Sequence, residues 1–232
     1  MAEHHLVLIV GGNRGIGLGV TRDFLAQGWD VIATARQPAK AGELRALESS
    51  SGGRLTIPQL DMSDPEKVDG FAATLGGKTI DAVLVNAGVS GPAHRSASEV
   101  TPEEIGALMF VNAIAPVRLA RSLAGHVRSG TGVIAFTSSV MGSVADNSGG
   151  HELYRASKAA LNSLTRGLWG ELSGRKLTLV SLHPGWVRTD MGGKSAAVSV
   201  EDSAAGIVSV VQKQSGAHQH RFLDYTGKEI RW

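Results

Sequence analysis

The sequence predicts an α/β protein in which a parallel sheet of about seven strands carries helices on both faces. Short apolar runs alternate with longer segments of helical periodicity along the whole chain. The runs are continuously apolar, which is typical of parallel strands buried on both faces. A length of 232 residues suits one domain, and no repeat or linker interrupts the alternation. We therefore expect a single Rossmann-type, doubly wound domain over residues 1–232, with ligands at the carboxyl ends of the strands.

Six runs rich in Val, Ile and Leu are the predicted strands, and RFLDY at 221–225 is a seventh candidate. The six runs cover residues 6–10, 31–35, 55–60, 82–85, 132–137 and 177–182. The predicted helices cover residues 16–27, 40–48, 65–75, 101–127, 152–172 and 201–214. A Ser or Thr followed three residues later by an acidic residue predicts three helix caps. These pairs are Ser63 with Glu66, Thr101 with Glu104, and Ser199 with Asp202.

Composition excludes several functional classes. The chain has 23 Lys and Arg against 21 Asp and Glu, so its net charge of +2 does not indicate a nucleic-acid partner. It has no cysteine, which excludes a disulfide scaffold, a thiolate metal site and a cysteine nucleophile. The first apolar run is far shorter than the roughly 20 residues of a membrane span, and a basic signal-peptide start is missing. We expect a soluble, cytoplasmic protein with no membrane partner.

Metal and serine-hydrolase chemistry have little support in the sequence. The stretch HELYR at 151–155 lacks the second histidine of a zinc helix, and His218 with His220 are too few ligands for a metal. A Gly-x-Ser-x-Gly nucleophile elbow is absent. We predict no metal site.

A glycine-rich loop, GGNRGIG at 11–17, follows the first predicted strand and precedes the first predicted helix. Glycines allow a backbone to turn tightly and to approach a pyrophosphate at a helix N-terminus. The spacing differs from the Gly-x-Gly-x-x-Gly of two-domain dehydrogenases. The alternative is a turn that only packs the helix on the strand, but the order of strand, loop and helix favours a dinucleotide site.

Two arginines indicate whether the predicted dinucleotide is NAD(H) or NADP(H). An acidic residue at the end of the second strand would bind the ribose hydroxyls of NAD. Ala35 and then Arg36 stand at that place, and Arg14 lies inside the glycine loop. Two guanidinium groups flanking a 2′-phosphate favour NADP(H) over NAD(H). The alternative is a pair of solvated surface arginines.

Tyr154 and Lys158 lie four residues apart in a predicted helix and therefore share one face. A nearby ammonium favours the phenolate and makes a tyrosine a better acid–base group near neutral pH. Helices also carry such pairs by chance, so the interpretation depends on the surrounding motifs.

Six motifs in chain order carry a family resemblance. They are GGNRGIG, NAG at 86–88, Asn112, SSVMG at 138–142, YRASK at 154–158 and HPGWVRTDM at 183–191. Together they resemble the short-chain dehydrogenase/reductase family over essentially the whole chain. The final FLDYTGKEIRW and the short run between Thr189 and Glu201 resemble its carbonyl-reductase and C-factor-like branch.

The resemblance implies four catalytic residues. Tyr154 would protonate the carbonyl oxygen or act as the base in oxidation. Lys158 would bind the nicotinamide ribose and lower the pKa of the tyrosine. Ser139 would hold the substrate oxygen, with Ser138 as the alternative, and Asn112 would anchor a water that links the lysine to solvent.

The resemblance also implies a cofactor site and two departures from the family pattern. Asp61 would contact the adenine, and Val187 the carboxamide through its backbone. Val10 and Val85 stand where the family usually has threonine and often has asparagine, so polar contacts around the adenosine are missing. The implied cofactor-binding residues are Gly11, Asn13, Arg14, Gly15, Ile16, Gly17, Arg36, Asp61, Met62, Asn86, Ala87, Gly88, Tyr154, Lys158, Pro184, Gly185, Val187 and Thr189.

The resulting hypothesis is an NADP(H)-dependent oxidoreductase that reversibly reduces small aldehydes or ketones to alcohols. The resemblance implies a homodimer or homotetramer built on the helices at 101–127 and 152–172. The small residues of 191–202 predict an open pocket with broad specificity, lined by candidates His94, Met141, His151 and Trp186. The alternative is a regulatory protein that binds a dinucleotide without turnover.

Overall fold

Seven parallel strands form one sheet in the computed structural model, which describes residues 5–232. They are β1 (Leu6–Val10), β2 (Asp30–Ala33), β3 (Leu55–Thr56), β4 (Ala82–Val85), β5 (Val133–Thr137), β6 (Thr178–His183) and β7 (His220–Asp224). Their order in the sheet is β3-β2-β1-β4-β5-β6-β7. The order reverses between β1 and β4, where doubly wound sheets bind ligands. The predicted fold class is confirmed.

Seven α-helices surround this sheet in the described part of the chain. They are α1 (Gly15–Ala26), α2 (Gly42–Ser50), α3 (Pro65–Gly70), α4 (Pro102–Met109), α5 (Ala115–Leu123), α6 (Glu152–Glu171) and α7 (Val200–Lys213). One apolar core lies between the sheet and α3, α5 and α6, and a second lies between the sheet and α1, α2 and α7. The sheet is therefore covered on both faces.

The strand β1 shows why the predicted strands are continuously apolar. Leu8 and Val10 belong to the first core, whereas Val7 and Ile9 belong to the second. Successive side chains of a strand point to opposite faces, so a strand between two cores must be apolar at every position.

The third strand is shorter than the predicted 55–60. Ladder pairing ends at Thr56, and Gln59 makes only an isolated bridge with Ala35. Pro58 lies between them and has no N–H to donate, which limits the ladder.

Two of the three predicted caps are confirmed and one is wrong. Thr101 caps α4 in a capping box with Glu104, and Ser199 accepts from the amide of Asp202 at the start of α7. The cap of α3 is Asp64, not Ser63, because its carboxylate accepts from the amides at positions 66 and 67. Pro65 occupies the first turn of α3, where a missing N–H costs nothing. The predicted helix 65–75 continues from Gly70 as a 3₁₀ turn through Leu75.

The predicted helix 101–127 is interrupted and ends at Leu123. A π-helical turn at Phe110–Ile114 separates α4 from α5. Pro116 has no N–H for the carbonyl oxygen of Asn112 four residues earlier, so a regular α-helix cannot continue through this point.

The combined stretch Pro102–Leu123 is long and apolar enough to cross a membrane by length and composition alone. Leu108, Leu119 and Leu123 on this stretch are fully buried within the protein. Such burial is typical of a core helix packed on a sheet.

Asp81 joins the amino ends of several strands, on the side of the sheet opposite the ligand-binding edge. Its carboxylate accepts from the amide of Leu6 at 2.8 Å and from Nε of Arg128 at 2.6 Å. Burial raises the pKa of Asp81, but these hydrogen bonds and the arginine charge outweigh it and hold the pKa below its ordinary value.

We expect Asp81→Asn to lower the free energy of unfolding by about 1–3 kcal/mol at pH 7, because a buried charge-assisted bond is lost. A carboxyl with a lowered folded-state pKa stabilises the fold above its ordinary pKa, and this stabilisation is lost as the pH falls through the folded-state value. The difference between the two proteins should therefore shrink as the pH falls below the ordinary value of 3.8 and vanish only below the lowered folded-state pKa, as measured by urea unfolding. Asp69→Asn, which removes an exposed pair with Arg118, is the control and should cost less than about 1 kcal/mol. Equal stabilities at pH 7 would contradict this account of Asp81.

Candidate active site

The loop between β1 and α1 leaves no room for side chains at two of its glycines. Gly11 has φ +84°, and a Cβ there would lie 3.1 Å from Ala87. A Cβ on Gly17 would lie 2.1 Å from the carbonyl oxygen of Gly11. The bare backbone at the N-terminus of α1 forms a cradle of the kind that holds a pyrophosphate.

Neighbouring strands fasten this glycine loop. The amide of Gly11 donates to Oγ1 of Thr34 at 3.1 Å, and Nδ2 of Asn86 donates to the carbonyl oxygen of Gly11 at 3.1 Å. The amides of Asn86 and Ala87 both donate to the carbonyl oxygen of Val10. Val10 and Val85 are buried, so Thr34 and the backbone supply polar ties that their side chains cannot. Sequence reasoning missed Thr34, although a hydroxyl within the apolar run VIATA was a signal for it.

The predicted adenosine contact Asp61 follows β3. Its carboxylate accepts from the amide and the hydroxyl of Ser63, at 3.0 and 2.7 Å. Burial raises the pKa of Asp61, but the Ser63 hydrogen bonds and the charges of Arg36 and Lys67 outweigh it and lower the pKa. The carboxylate therefore stays charged beside the exposed Arg36, and the neighbouring Met62 is buried.

In the structure, Arg14 pairs with an acidic residue of the loop after β6. Arg14 precedes α1, and its Nη1 donates to the carboxylate of Asp190 at 2.6 Å. Both side chains are largely exposed. The glycine loop is thus connected to the segment that follows Thr189. Of the other predicted loop residues, Asn13 is exposed and Ile16 packs against the second core.

The loop after β6 runs beside the glycine loop. A Cβ on Gly15 would lie 3.2 Å from the methyl group of Thr189. Ser203 of α7 donates to the carbonyl oxygen of Pro184 at 2.7 Å. Val187 is buried and bridges to Val198. The predicted residues Pro184, Gly185, Val187 and Thr189 are therefore held at the same edge as the glycine cradle.

Tyr154 and Lys158 lie on one face of α6, as their spacing predicts. Nζ of Lys158 is 5.6 Å from the centroid of the Tyr154 ring. The same Nζ donates to the carbonyl oxygen of Thr137 at 2.8 Å. Lys158 is 3% exposed and has no carboxylate within ion-pair distance among residues 5–232.

Burial dominates the ionisation of both groups. It lowers the pKa of Lys158 to about 8 and raises the pKa of Tyr154 to about 12. In the protein chain by itself, burial therefore raises the pKa of Tyr154, and the lowering of that pKa by Lys158 stays a prediction.

Asn112, in the π-helical turn, fixes the loop after β4 against α6. Its Nδ2 donates to the carbonyl oxygen of Val89 at 2.8 Å and to Oγ of Ser157 at 3.1 Å, and its Oδ1 accepts from the amide of Val89 at 2.9 Å. A Cβ on Gly88 would lie 3.3 Å from that Oδ1 and 3.5 Å from Nζ of Lys158. Asn112, Gly88 and Lys158 therefore meet at one point. Ser157 is a partner that sequence reasoning missed.

The two serines after β5 have different hydrogen-bond roles. Oγ of Ser138 donates to Oδ1 of Asn162 at 2.7 Å, and both residues are buried. Oγ of Ser139 accepts from the amide of Met141 at 3.1 Å, and its own hydrogen has no acceptor among residues 5–232. Ser139 is therefore the serine that is able to donate to a bound oxygen, whereas Ser138 is structural.

Four predicted pocket residues have diverse surroundings. His94 lies 3.3 Å from the carboxylate of Glu104, and Met141 borders a cleft of about 460 Å³. His151 is the exposed residue before α6. Trp186 donates from Nε1 to the carbonyl oxygen of Gly192 at 2.9 Å and exposes its ring. Over the described residues, no group of three or more His, Asp or Glu is placed to hold a metal ion.

Comparison with known proteins places this site in a family. The sequence profile of the short chain dehydrogenases matches residues 5–198. The C-signal of Myxococcus xanthus is 37% identical over 164 residues, covering 70% of this chain and 98% of that protein. A carbonyl reductase from Pseudomonas aeruginosa PAO1 in complex with NADP superposes with a TM-score of 0.92 at 46% identity, covering 99% of this chain and 100% of its own. The NADPH-bound carbonyl reductase from chicken fatty liver has a TM-score of 0.87 at 33% identity, with 99% of each chain covered.

We expect Lys158→Met to stabilise the fold at pH 7 by about 3 kcal/mol, because the lowered pKa reflects the cost of burying the ammonium. Below pH 8, Lys158 is charged in both the folded and the unfolded state of the wild-type chain. Between pH 8 and 10.5, the ordinary pKa of lysine, the folded state loses the proton first, so the stability of the wild-type chain rises. The gain of the variant should fall below about 1 kcal/mol at pH 10, as measured by denaturant unfolding at both values. Lys228→Met, at an exposed lysine, is the control and should change little. A lower stability of Lys158→Met than of the wild type at pH 7 would refute the conclusion that the buried ammonium costs stability.

Proposed function

The chain belongs to the short-chain dehydrogenase family, and on that basis we propose that it is an NADP(H)-dependent carbonyl reductase, which reduces aldehydes or ketones and also acts in reverse. The observation that carries the proposal is that Nζ of Lys158 lies 5.6 Å from the Tyr154 ring and is joined through Thr137 and Asn86 to the glycine loop. The donor hydroxyl of Ser139, two residues after Thr137, supports it. Carbonyl reductases with bound NADP or NADPH among the similar structures support it.

The residues around the glycine loop fit a dinucleotide. The cradle at Gly11 and Gly17 admits backbone only, and it opens at the first turn of α1, which contains no acidic residue. Gly88 keeps the space above Lys158 free of a side chain. When bound, the nicotinamide supplies or accepts the hydride, and the protein supplies orientation and proton transfer.

Tyr154 acts as the acid in the direction of reduction. Its pKa of about 12 keeps the phenol protonated at neutral pH, so it has a proton to give to the carbonyl oxygen. Ser139 donates a hydrogen bond to the same oxygen and holds it in place. Once the proton has left, Tyr154 is a phenolate. The ammonium of Lys158, whose Nζ lies 5.6 Å from the centroid of the tyrosine ring, stabilises that negative charge.

Asn112 contributes in two ways. Its side chain fixes Val89. Its backbone carbonyl oxygen receives no hydrogen bond from position 116, because Pro116 has no N–H. That oxygen is the place for a water that returns the proton to Lys158. This is the predicted relay, but it uses the backbone of Asn112 because the side chain is occupied.

Preference for NADP(H) over NAD(H) rests on Arg14 and Arg36 and on the neutral Ala35, which precedes Arg36 just after β2. Arg14 must exchange Asp190 for the phosphate. Exposed ion pairs contribute about 0–1 kcal/mol, so this exchange has a low cost.

A regulatory role is the second candidate, and one comparison favours it. A relative with 37% identity is called C-signal, a name that denotes a signal and not a reaction. A protein in this role binds the dinucleotide and does not depend on turnover.

We also propose that the protein forms a homodimer or homotetramer. The exposed apolar residues Ile114, next to α5, and Leu164, on α6, support this proposal.

We expect Tyr154→Phe to reduce NADPH-dependent carbonyl reduction by a factor of about 100 or more, because the proton donor is removed. NADPH affinity should remain within about twofold, since the phenyl ring is retained. The measurement is NADPH oxidation on a panel of aldehydes and ketones, with cofactor binding by fluorescence. Tyr225→Phe, at the second tyrosine of the chain, is the matched control. An unchanged rate in Tyr154→Phe would rule out this mechanism, and NADPH binding without wild-type turnover would favour the regulatory role.

We expect Arg14→Ala and Arg36→Ala each to weaken NADPH binding by about tenfold or more, because each loses a hydrogen bond to a charged group. NADH binding should be unchanged, because NADH has no 2′-phosphate. Titration calorimetry with both cofactors makes the comparison. Arg45→Ala, at an exposed arginine of α2, is the control. A parallel loss of NADPH and NADH affinity would show that the arginines do not read the 2′-phosphate.

A further inference from the structure

The segment 143–151, which we call the substrate loop, connects Ser139 and its 3₁₀ turn to the helix that carries Tyr154. Residues 144–150 are all exposed, and Gly149, Gly150 and His151 have positive φ. The loop forms one wall of the 460 Å³ cleft next to Met141. A glycine-containing loop of this kind needs fixed contacts to hold one shape.

The end of the loop near α6 is held by Arg155. Its Nε donates to the carbonyl oxygens of Gly149 and Gly150 at 3.0 and 2.8 Å, and its Nη2 donates to Oγ of Ser148. These contacts do not reach residues 143–146, which lie nearest Ser139.

The last two residues of the sequence hold that nearer part. The carbonyl oxygen of Trp232 accepts from the amide of Ala145 at 3.0 Å and from Oγ of Ser143 at 3.5 Å. The guanidinium of Arg231 pairs with the carboxylate of Asp146. Three positions of the loop, Ser143, Ala145 and Asp146, are therefore bound to two successive positions of the tail.

The tail is itself anchored in the rigid part of the fold. The ring of Trp232 lies 4.8 Å from the ring of His220 and 5.4 Å from that of Phe222, both buried on β7. The guanidinium of Arg166 on α6 lies 5.8 Å from the centroid of the same ring. The contacts of the tryptophan ring therefore attach the substrate loop to β7 and α6.

We propose that Arg231 and Trp232 are positioning residues that fix the substrate loop beside Ser139 and so shape the carbonyl pocket. The inference rests on the proposed reductase function. Neither residue touches the glycine cradle, so the tail governs the use of the carbonyl substrate and not the binding of NADPH.

We expect Arg231→Ala, Trp232→Ala and removal of residues 231–232 to lower kcat/KM for carbonyl substrates, with the truncated chain losing between about 10- and 100-fold. The loss should appear mainly in KM, and NADPH affinity should stay within about twofold because the glycine cradle is intact. Steady-state kinetics and fluorescence titration measure the two quantities. Glu229→Gln is the matched control, because it removes a tail ion pair with Arg221 that does not involve the loop.

A charge exchange provides the readout that a general loss of stability would not give. Asp146→Arg and Arg231→Asp should each raise KM, and the double variant should recover most of the loss. Hydrogen exchange at residues 143–147 should accelerate in each single variant and slow again in the double variant. Wild-type KM and wild-type exchange in the truncated chain would overturn the proposal, as would equal losses in the single and double variants. Hydrogen exchange does not need turnover, so a chain without reductase activity would refute the proposed function while the exchange data still decide whether the tail holds the loop.

Discussion

The site depends on the burial of the Lys158 ammonium, which has no carboxylate partner among residues 5–232. A buried charge without a counter-charge is costly, and over the described residues the acceptor is a single backbone carbonyl, that of Thr137. The surrounding loops approach this lysine because they lack side chains. A Cβ on Gly142 would lie 2.9 Å from the backbone of Lys158, and one on Gly88 would lie 3.5 Å from Nζ. The fold accepts a local loss of stability in order to place a cation beside Tyr154.

The lysine is also connected to the glycine cradle by a continuous set of hydrogen bonds. Thr137 accepts from Lys158 through its carbonyl oxygen and donates through Oγ1 to Oδ1 of Asn86 at 3.1 Å. Asn86 in turn donates to the carbonyl oxygen of Gly11. These residues stand at the carboxyl ends of the neighbouring strands β1, β4 and β5. The network fixes Lys158 relative to the cradle, and substitutions at Thr137 or Asn86 therefore act on both parts of the site.

The sequence predicts the sheet well because each strand must be apolar on two faces, and it predicts most helices because their periodicity is clear. The errors have identifiable causes: Pro58 shortens β3, Pro116 breaks the long helix, and Pro65 marks Asp64 as the cap in place of Ser63. The polar partners Thr34, Thr137, Ser157 and Asn162 were missed, since a single polar residue in a buried segment has no periodicity to reveal it. The roles of Ser138 and Ser139 are separated only by their hydrogen-bond partners, which lie far away in sequence.

The pKa shifts bear on the direction of the proposed reaction, which the sequence leaves open. Reduction requires a protonated tyrosine, and burial keeps Tyr154 in that form at every pH below about 12. Oxidation requires the phenolate, which burial opposes and only the ammonium of Lys158 favours. The pKa of Lys158 is about 8, so above that pH the lysine loses its charge and no longer favours the phenolate. This loss comes in the alkaline range, where a phenol would otherwise ionise more easily. The groups of the chain itself therefore suit the proposed carbonyl reduction across the neutral range, and the proposed reverse reaction needs additional stabilisation of the phenolate from the bound reactants.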